Sequence, residues 1–318
     1  MNSQATMTDP TLSHFISIAD TTAQQLQHLF DVSFDLRAQR SQGQTNDPIL
    51  AGQTLAMIFE KPSLRTNVSF QQAMIELGGQ SIVLGADQVG LGSRESAGDV
   101  ARVLSGMVQG IMARVFEHEK LLELAEHADI PVINALSDYS HPCQALADAM
   151  TLMDEFGRDL KGRTLTFVGD GNNVATSLAV LCGKLEMNFI LASPPGYELQ
   201  QVIVDQIMAQ VPNLNFETTH DAQQAVHYAD AVYADTWVSM GQEEEKAKRV
   251  QLFADYQINE QLLAQMPDDA IVLHCLPAYR GVEITDEALD GKRSRVFPQA
   301  HNRLHAQKGL LAVLMGSM

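Results

Sequence analysis

Four short stretches bring together side chains that can do chemistry. Ser63-Leu64-Arg65-Thr66 follows the apolar run Leu55-Ala56-Met57-Ile58-Phe59 and precedes Phe70, Ala73, Met74 and Leu77 at helical spacing. Two hydroxyls and a guanidinium then sit where a helix begins, with free backbone N–H groups and the positive end of the helix dipole, which describes a cradle for an oxyanion or a phosphate. The same residues also read as an ordinary N-cap with a solvated arginine. His141-Pro142-Cys143-Gln144 opens another helix, with Pro142 at a first-turn position. His141 and Gln144 are there as donors or as plain capping groups, and Cys143 falls on the apolar face, which makes it core. Asp235-Thr236-Trp237-Val238-Ser239-Met240-Gly241 follows a short apolar strand. His274-Cys275-Leu276-Pro277 ends another.

Isolated residues extend these sets. Arg114 lies inside the apolar run Gly110–Phe116, where a charge either pairs structurally or faces a ligand at the strand's end. Gly169-Asp170-Gly171-Asn172-Asn173 turns from a strand into a helix, the position of a dinucleotide fingerprint, but Val174 stands where the third glycine is needed. Asn172 and Asn173 suit a turn, or amides offered to an amino acid. A cysteine beside a histidine suggests a thiol nucleophile, but neighbours on a strand point to opposite faces, so His274 is a poor base for Cys275.

These residues need elements to hold them. Residues 12–40 read as one helix followed by a polar linker, and Gly85 to Arg94 as a glycine-rich loop suited to motion or to reaching a neighbouring subunit. Strands are expected at 55–59, 81–84, 110–116, 132–136, 165–168, 189–192, 213–218, 231–234 and 271–277, with helices between them and a last helix from Gln299 to Leu314 that carries Arg303. The alternation predicts an α/β protein with two open, mostly parallel sheets covered by helices, the second Rossmann-like, joined by long helices. The polar signatures all fall just after strands, where such sheets hold ligands. The first half offers donors, Ser63, Arg65, Thr66, Arg114, His141 and Gln144. The second offers Asn173, Asp235 and Ser239, suited to an ammonium and a carboxylate. One half built for an anion and one for an amino acid points to transfer between two substrates.

Bulk properties narrow the classes. With 318 residues and 45% hydrophobic content the chain can fill two cores, and 19% charged residues argue against wholesale disorder. A net charge of −18 repels nucleic acid and anionic lipid, so neither is expected as a partner, and a phosphate site must be a locally basic pocket. No apolar run approaches a membrane span, and Met1–Thr11 is polar without the apolar stretch of a secretory leader. Three scattered cysteines suit a reducing, cytoplasmic setting and no structural zinc.

Taken together and in order, F-E-K-P-S-L-R-T, H-P-C-Q, D-T-W-V-S-M-G and H-C-L-P resemble the ornithine carbamoyltransferases, over nearly the whole chain from about Ser13 to the last helix. The aspartate and acetylornithine branches of that superfamily lack the D-x-x-x-S-M-G element. The resemblance implies carbamoyl transfer from carbamoyl phosphate to the δ-amine of L-ornithine, within arginine metabolism, without metal or organic cofactor, in a homotrimer or an assembly of trimers. It implies a carbamoyl phosphate-binding domain over 1–150, with the helix 299–318 packing back on it, and an ornithine-binding domain over 151–298. It places Ser63, Leu64 by its backbone, Arg65 and Thr66 on the phosphate. Arg114, His141, Gln144 and Arg303 fall at the carbamoyl end, and Asn173, Asp235, Ser239 and Met240 on ornithine. Cys275 and Asp235 lie near the δ-amine and the Leu276 carbonyl near the carbamoyl amide, so that Arg65, Arg114, His141, Asp235 and Cys275 form the catalytic set.

Two positions depart from the family pattern. Asn67 stands where the cradle usually continues with arginine, and Gly90 where the loop often carries glutamine or histidine. They keep open a carbamoyltransferase for another amine, such as putrescine or an acylated ornithine, and a catalytically weakened paralogue. A nicotinamide dehydrogenase is disfavoured by Val174.

Overall fold

The computed structural model describes residues 12–238 and 243–316. Its first half runs α1 (Ala23–Ser41), β1 (Thr54–Phe59), α2 (Leu64–Glu76), β2 (Gln80–Gly85), α3 (Ala86–Val89), α4 (Ala97–Ser105), β3 (Gly110–Arg114), α5 (His118–His127), β4 (Val132–Leu136) and α6 (Pro142–Phe156). The second runs β5 (Thr164–Val168), α7 (Asn173–Lys184), β6 (Asn188–Ala192), α8 (Gln201–Gln210), β7 (Asn215–Thr219), α9 (Ala222–Ala225), β8 (Ala231–Ala234), α10 (Lys246–Leu252), α11 (Glu260–Leu263), β9 (Ile271–His274), α12 (Asp286–Asp290) and α13 (Val296–Met315).

The strands form two sheets, ordered β2-β1-β3-β4 and β7-β6-β5-β8-β9, and every pairing is parallel. Parallel strands need both faces covered, and the central ones are accordingly buried along almost their whole length. One core runs continuously from Phe30, Met57 and Phe70 in the first half to Phe167, Leu178 and Phe189 in the second, by way of α6, α7 and α13. Smaller clusters cover the outer faces, around Ile58, Ile111 and Val132 and around Val168, Val232 and Val272. Helix α13 leaves the second sheet and packs against α1, α6 and α2 of the first.

Among the boundaries that differ from the sequence expectation, four have a clear local reason. The helix expected from residue 12 starts at Ala23, because Thr22 and Gln25 form a reciprocal capping box and Phe15 instead bridges to β4, donating to Val132 and accepting from Asn134. The glycine-rich segment contains the short helix α3, ended by Gly90 at φ +63°. The strand expected over 110–116 stops at Arg114, where the register against β4 slips between Ala113 and Arg114. The strand expected over 271–277 stops at His274, and Leu276 turns the chain at φ +57°, so Cys275 lies beyond the ladder.

Candidate active site

In an open parallel sheet a crevice forms where adjacent strands send their connections to opposite sides. The first sheet has that point between β1 and β3, the second between β5 and β8. Lys61–Arg65 follow β1, Arg114 ends β3, Asp170–Asn173 follow β5 and Asp235 follows β8. All of these residues line one cleft of about 1160 Å³, together with His141, Cys275, Leu276 and Arg303. The two crevices therefore face each other.

On the first side the cradle is the start of α2. Ser63 is its N-cap and accepts from the Thr66 N–H at 3.3 Å, while Leu64, Arg65 and Thr66 supply the first-turn N–H groups. The register slip at the end of β3 re-aims Arg114 as bulges do, into the cleft, where it is buried and its Nε has no hydrogen-bond partner among the described residues. Burial, and then Arg303 and Arg65, push its guanidinium down to about 10, a sign of how tightly positive charge is gathered here. Arg303 arrives on α13, donating to Gln144 Oε1 at 2.8 Å and to Thr66 Oγ1 at 3.2 Å. Thr66 and Gln144 are buried and hold Arg303 rather than lining the cleft. His141 occupies the N-cap position of α6 but makes no side-chain cap bond. Its N–H donates to Ser177 Oγ at 2.8 Å and its Nδ1 is unpartnered among the described residues. Burial, and then Arg303, Arg114 and Arg65, hold its pKa well below the ordinary value, so the imidazole is neutral.

On the second side Asp235 is half of a compact acceptor site. It takes the Cys275 S–H at 2.9 Å, the Thr236 N–H at 2.7 Å and the Asn172 amide at 2.7 Å. Burial, and then Asp235, push the Cys275 thiol well above its usual range. It is a neutral S–H donor and not a thiolate. His274 is occupied elsewhere, its Nδ1 accepting from the Leu276 N–H at 2.9 Å and its Nε2 facing Glu283 at 3.2 Å, so the Cys–His pair is no dyad. Asn173 lines the cleft but donates to the Ser137 carbonyl at 2.6 Å. Arg65 crosses the cleft and donates to the Leu276 carbonyl at 2.6 Å, linking the two sides directly.

Ser239 and Met240 lie outside the described residues. Asn67 accepts from Gln71 and is absent from the cleft lining, so an arginine at this position would begin turned along α2. Gly90 ends α3 in the left-handed region, where a Cβ would meet the Arg94 Cβ at 2.7 Å. Sequence reasoning passed over Lys61, buried beneath the cradle with its ammonium 4.2 Å from the Phe116 ring centre, although it stands inside the quoted motif. The sequence reads Asn172 as a turn residue or as an amide for an amino acid, and the structure gives it a different partner. Asn172 does cap α7, accepting from Val174 and Ala175, but its amide end is what orients Asp235. Nothing local flags Arg249, which ties Asp170 at 2.7 Å to the Trp237 carbonyl at 3.0 Å. Among the described residues no cluster of histidine, cysteine, aspartate or glutamate could hold a metal.

The arrangement can grip an oxyanion on one wall and a zwitterion on the other. Comparison with known proteins agrees with that division. Residues 13–154 match the carbamoyl-P binding domain of aspartate/ornithine carbamoyltransferases, and residues 161–314 match their Asp/Orn binding domain. An ornithine carbamoyltransferase of Haloquadratum walsbyi is 47% identical over 306 residues, covering 96% of this chain and 99% of the relative. One from Anoxybacillus flavithermus is 46% identical over 303 residues, covering 95% and 96%. The solved ornithine carbamoyltransferase from Pyrococcus furiosus superimposes with a TM-score of 0.93 at 42% identity, over 97% of this chain and 98% of that one. Motif order, paired parallel sheets and near full-length likeness converge: the chain belongs to the aspartate/ornithine carbamoyltransferase family.

Proposed function

We propose that the protein transfers the carbamoyl group of carbamoyl phosphate to the δ-amine of L-ornithine, giving L-citrulline and phosphate. The observation that carries this reading is the cleft itself, with Arg65, Arg114 and Arg303 on one wall and the Asp235–Cys275 pair opposite.

Carbamoyl phosphate brings a dianion and a carbonyl. Its phosphate is received by Ser63, the Leu64 N–H and Arg65, while Thr66 braces Arg303 behind them. Arg65 exchanges the Leu276 carbonyl for a phosphate oxygen, which frees that carbonyl to accept from the carbamoyl N–H₂. Arg114 and the neutral His141 stand at the carbonyl oxygen, Gln144 and Arg303 behind them. Ornithine lies against the second wall, with Asn173, Ser239 and Met240 at its α-groups and Asp235 and Cys275 near its side-chain amine. That amine has a solution pKa near that of lysine, about 10.4, and attacks only when neutral. The thiol, kept protonated, offers no competing nucleophile and no extra negative charge to hold the ammonium form. Attack builds an oxyanion that Arg114 and His141 stabilise. As it collapses the bond to the phosphate oxygen breaks, the amine gives up one proton to the departing phosphate, and hydrogen phosphate leaves into the cradle. Holding both substrates across the cleft supplies much of the remaining rate.

The homotrimer is part of the same proposal. Val68 and Ile75 on α2, together with Ile82 on the edge strand β2, are 49–63% exposed and form an apolar surface beside the cradle, which supports self-association there. Three free cysteines support a cytoplasmic setting. No described helix is long and apolar enough to cross a membrane. The test is a citrulline assay with purified protein, carbamoyl phosphate and L-ornithine. Citrulline and phosphate in equal amounts are expected. Their absence at saturating substrates, or turnover with putrescine or N-acetylornithine in place of ornithine, overturns the assignment.

A further inference from the structure

The carboxylate of Asp148 is wholly buried on α6, one turn beyond Gln144, and it touches no substrate-lining surface. Its Oδ1 accepts from the Gln144 amide at 2.8 Å and from the Gln299 amide at 2.7 Å, and its Oδ2 accepts from the Tyr233 hydroxyl at 3.1 Å. Each donor leads to a different part of the cleft. Gln144 presents its oxygen to Arg303, which reaches Thr66. Gln299 presents its oxygen to the His274 N–H at 2.8 Å, the residue before Cys275. Tyr233 is on β8, two residues before Asp235. One side chain thus joins α6, α13, β8 and β9, the elements that carry both halves of the site.

A carboxylate accepts and cannot donate, so its two amide neighbours must turn their nitrogens toward it. Gln144 then has its oxygen aimed at Arg303, and Gln299 its oxygen aimed at β9. A group able to donate would allow either amide to flip, and a flipped Gln144 would set N–H₂ against the Arg303 guanidinium. The structure assigns to Asp148 the role of a positioning residue for the transfer reaction, fixing the orientation of Gln144 and Gln299 and so the register of the carbamoyl phosphate half-site against Asp235 and Cys275. This rests on the reading of the cleft given above. The groups facing the carboxylate are Gln144 on its own helix, Gln299 and Arg303 on α13, Tyr233 on β8, Cys182 on α7 and Cys275 beyond β9. Burial outweighs the three hydrogen bonds and Arg303, and pushes the acid up to about 7. Below that pH the protonated acid can donate, as asparagine can. The stability sign is opposite. A carboxyl raised from 3.8 to about 7 contributes most below its unfolded value, and that contribution is lost as pH rises through about 7.

Asp148→Asn, Tyr233→Phe and the wild type are compared for citrulline formation between about pH 6 and pH 9, for carbamoyl phosphate binding by calorimetry, and for thermal unfolding at about pH 8. For Asp148→Asn, kcat is expected to fall about 10- to 100-fold at pH 8 with weaker carbamoyl phosphate binding. The wild-type advantage shrinks below about pH 7, and the melting temperature is unchanged or raised. Wild-type kinetics in Asp148→Asn at every pH, or a loss with no pH dependence that follows a lowered melting temperature, overturns the inference. If Asp148→Asn does not fold, Tyr233→Phe decides: a several-fold drop in kcat with carbamoyl phosphate affinity kept supports the link to β8, and unchanged kinetics overturns it. A wild-type chain that makes no citrulline overturns the reading of the cleft first and the inference with it, a result distinct from an active wild type with an equally active variant.

Discussion

Side by side in sequence, Cys275 and His274 point to separate partners, and the thiol serves as a donor to Asp235. Cys275→Ser preserves a donor at that place and is expected to retain about tenfold more kcat than Cys275→Ala, measured by citrulline formation. Because burial and Asp235 raise the thiol well above 9.0, alkylation of Cys275 by iodoacetamide, followed by peptide mass analysis, should stay slow at neutral pH and rise only in strong alkali. Arg65→Ala removes the proposed phosphate ligand and the Leu276 contact together, and should cost about 10²–10³ in kcat. Asp235→Ala should chiefly raise the KM for ornithine. At this scale the sequence exposed residues whose types are unusual for their setting, such as Arg114 in an apolar run. It hid those whose role comes from a distant partner. Asn172 looks like any capping asparagine until Asp235, 63 positions on, is seen to accept its amide.

Periodicity located nearly all the strands and long helices, because buried parallel strands and two-faced helices leave strong patterns. Their ends were less legible, since caps and bulges decide them: the slip that aims Arg114 depends on the partner strand as much as on its own residues. The docking of α13 is also a matter of tertiary partners. Lys308, wholly buried on that helix, donates to Asn46 at 2.5 Å and to Glu76 at 2.7 Å, and Arg40 and Gln72 complete the shell around Glu76. Although burial opposes it, hydrogen bonds from Lys308, Gln72 and Arg40 hold the Glu76 carboxyl at about 2 against an ordinary 4.5. The stability this confers is present above about pH 4.5 and lost as pH falls toward about 2. Lys308→Met should therefore destabilise the fold by about 3 kcal/mol at neutral pH in denaturant titration, with a smaller deficit in acid.

At the level of the molecule, 18 excess negative charges surround a cleft lined by four guanidiniums, those of Arg65, Arg114, Arg249 and Arg303. Two opposed crevices were foreseeable from strand–helix alternation and from polar residues falling after strands, whereas the cross-links through Asp148 and Arg249 were not, since they join elements far apart in the chain. Self-association is testable at this scale. Ile75→Glu places a charge on the exposed apolar surface of α2, and should convert a trimer to monomers in sedimentation and remove most activity if the cleft needs its neighbour. The return of α13 to the first sheet bears on biosynthesis. Arg303 bonds Thr66 across 237 positions, so the cationic wall is complete only once α13 has been made and has docked on the first half. A polypeptide deprived of α13 would lose part of the shared core and a guanidinium of the cleft at one stroke, which ties competence for turnover to the docking of a single helix.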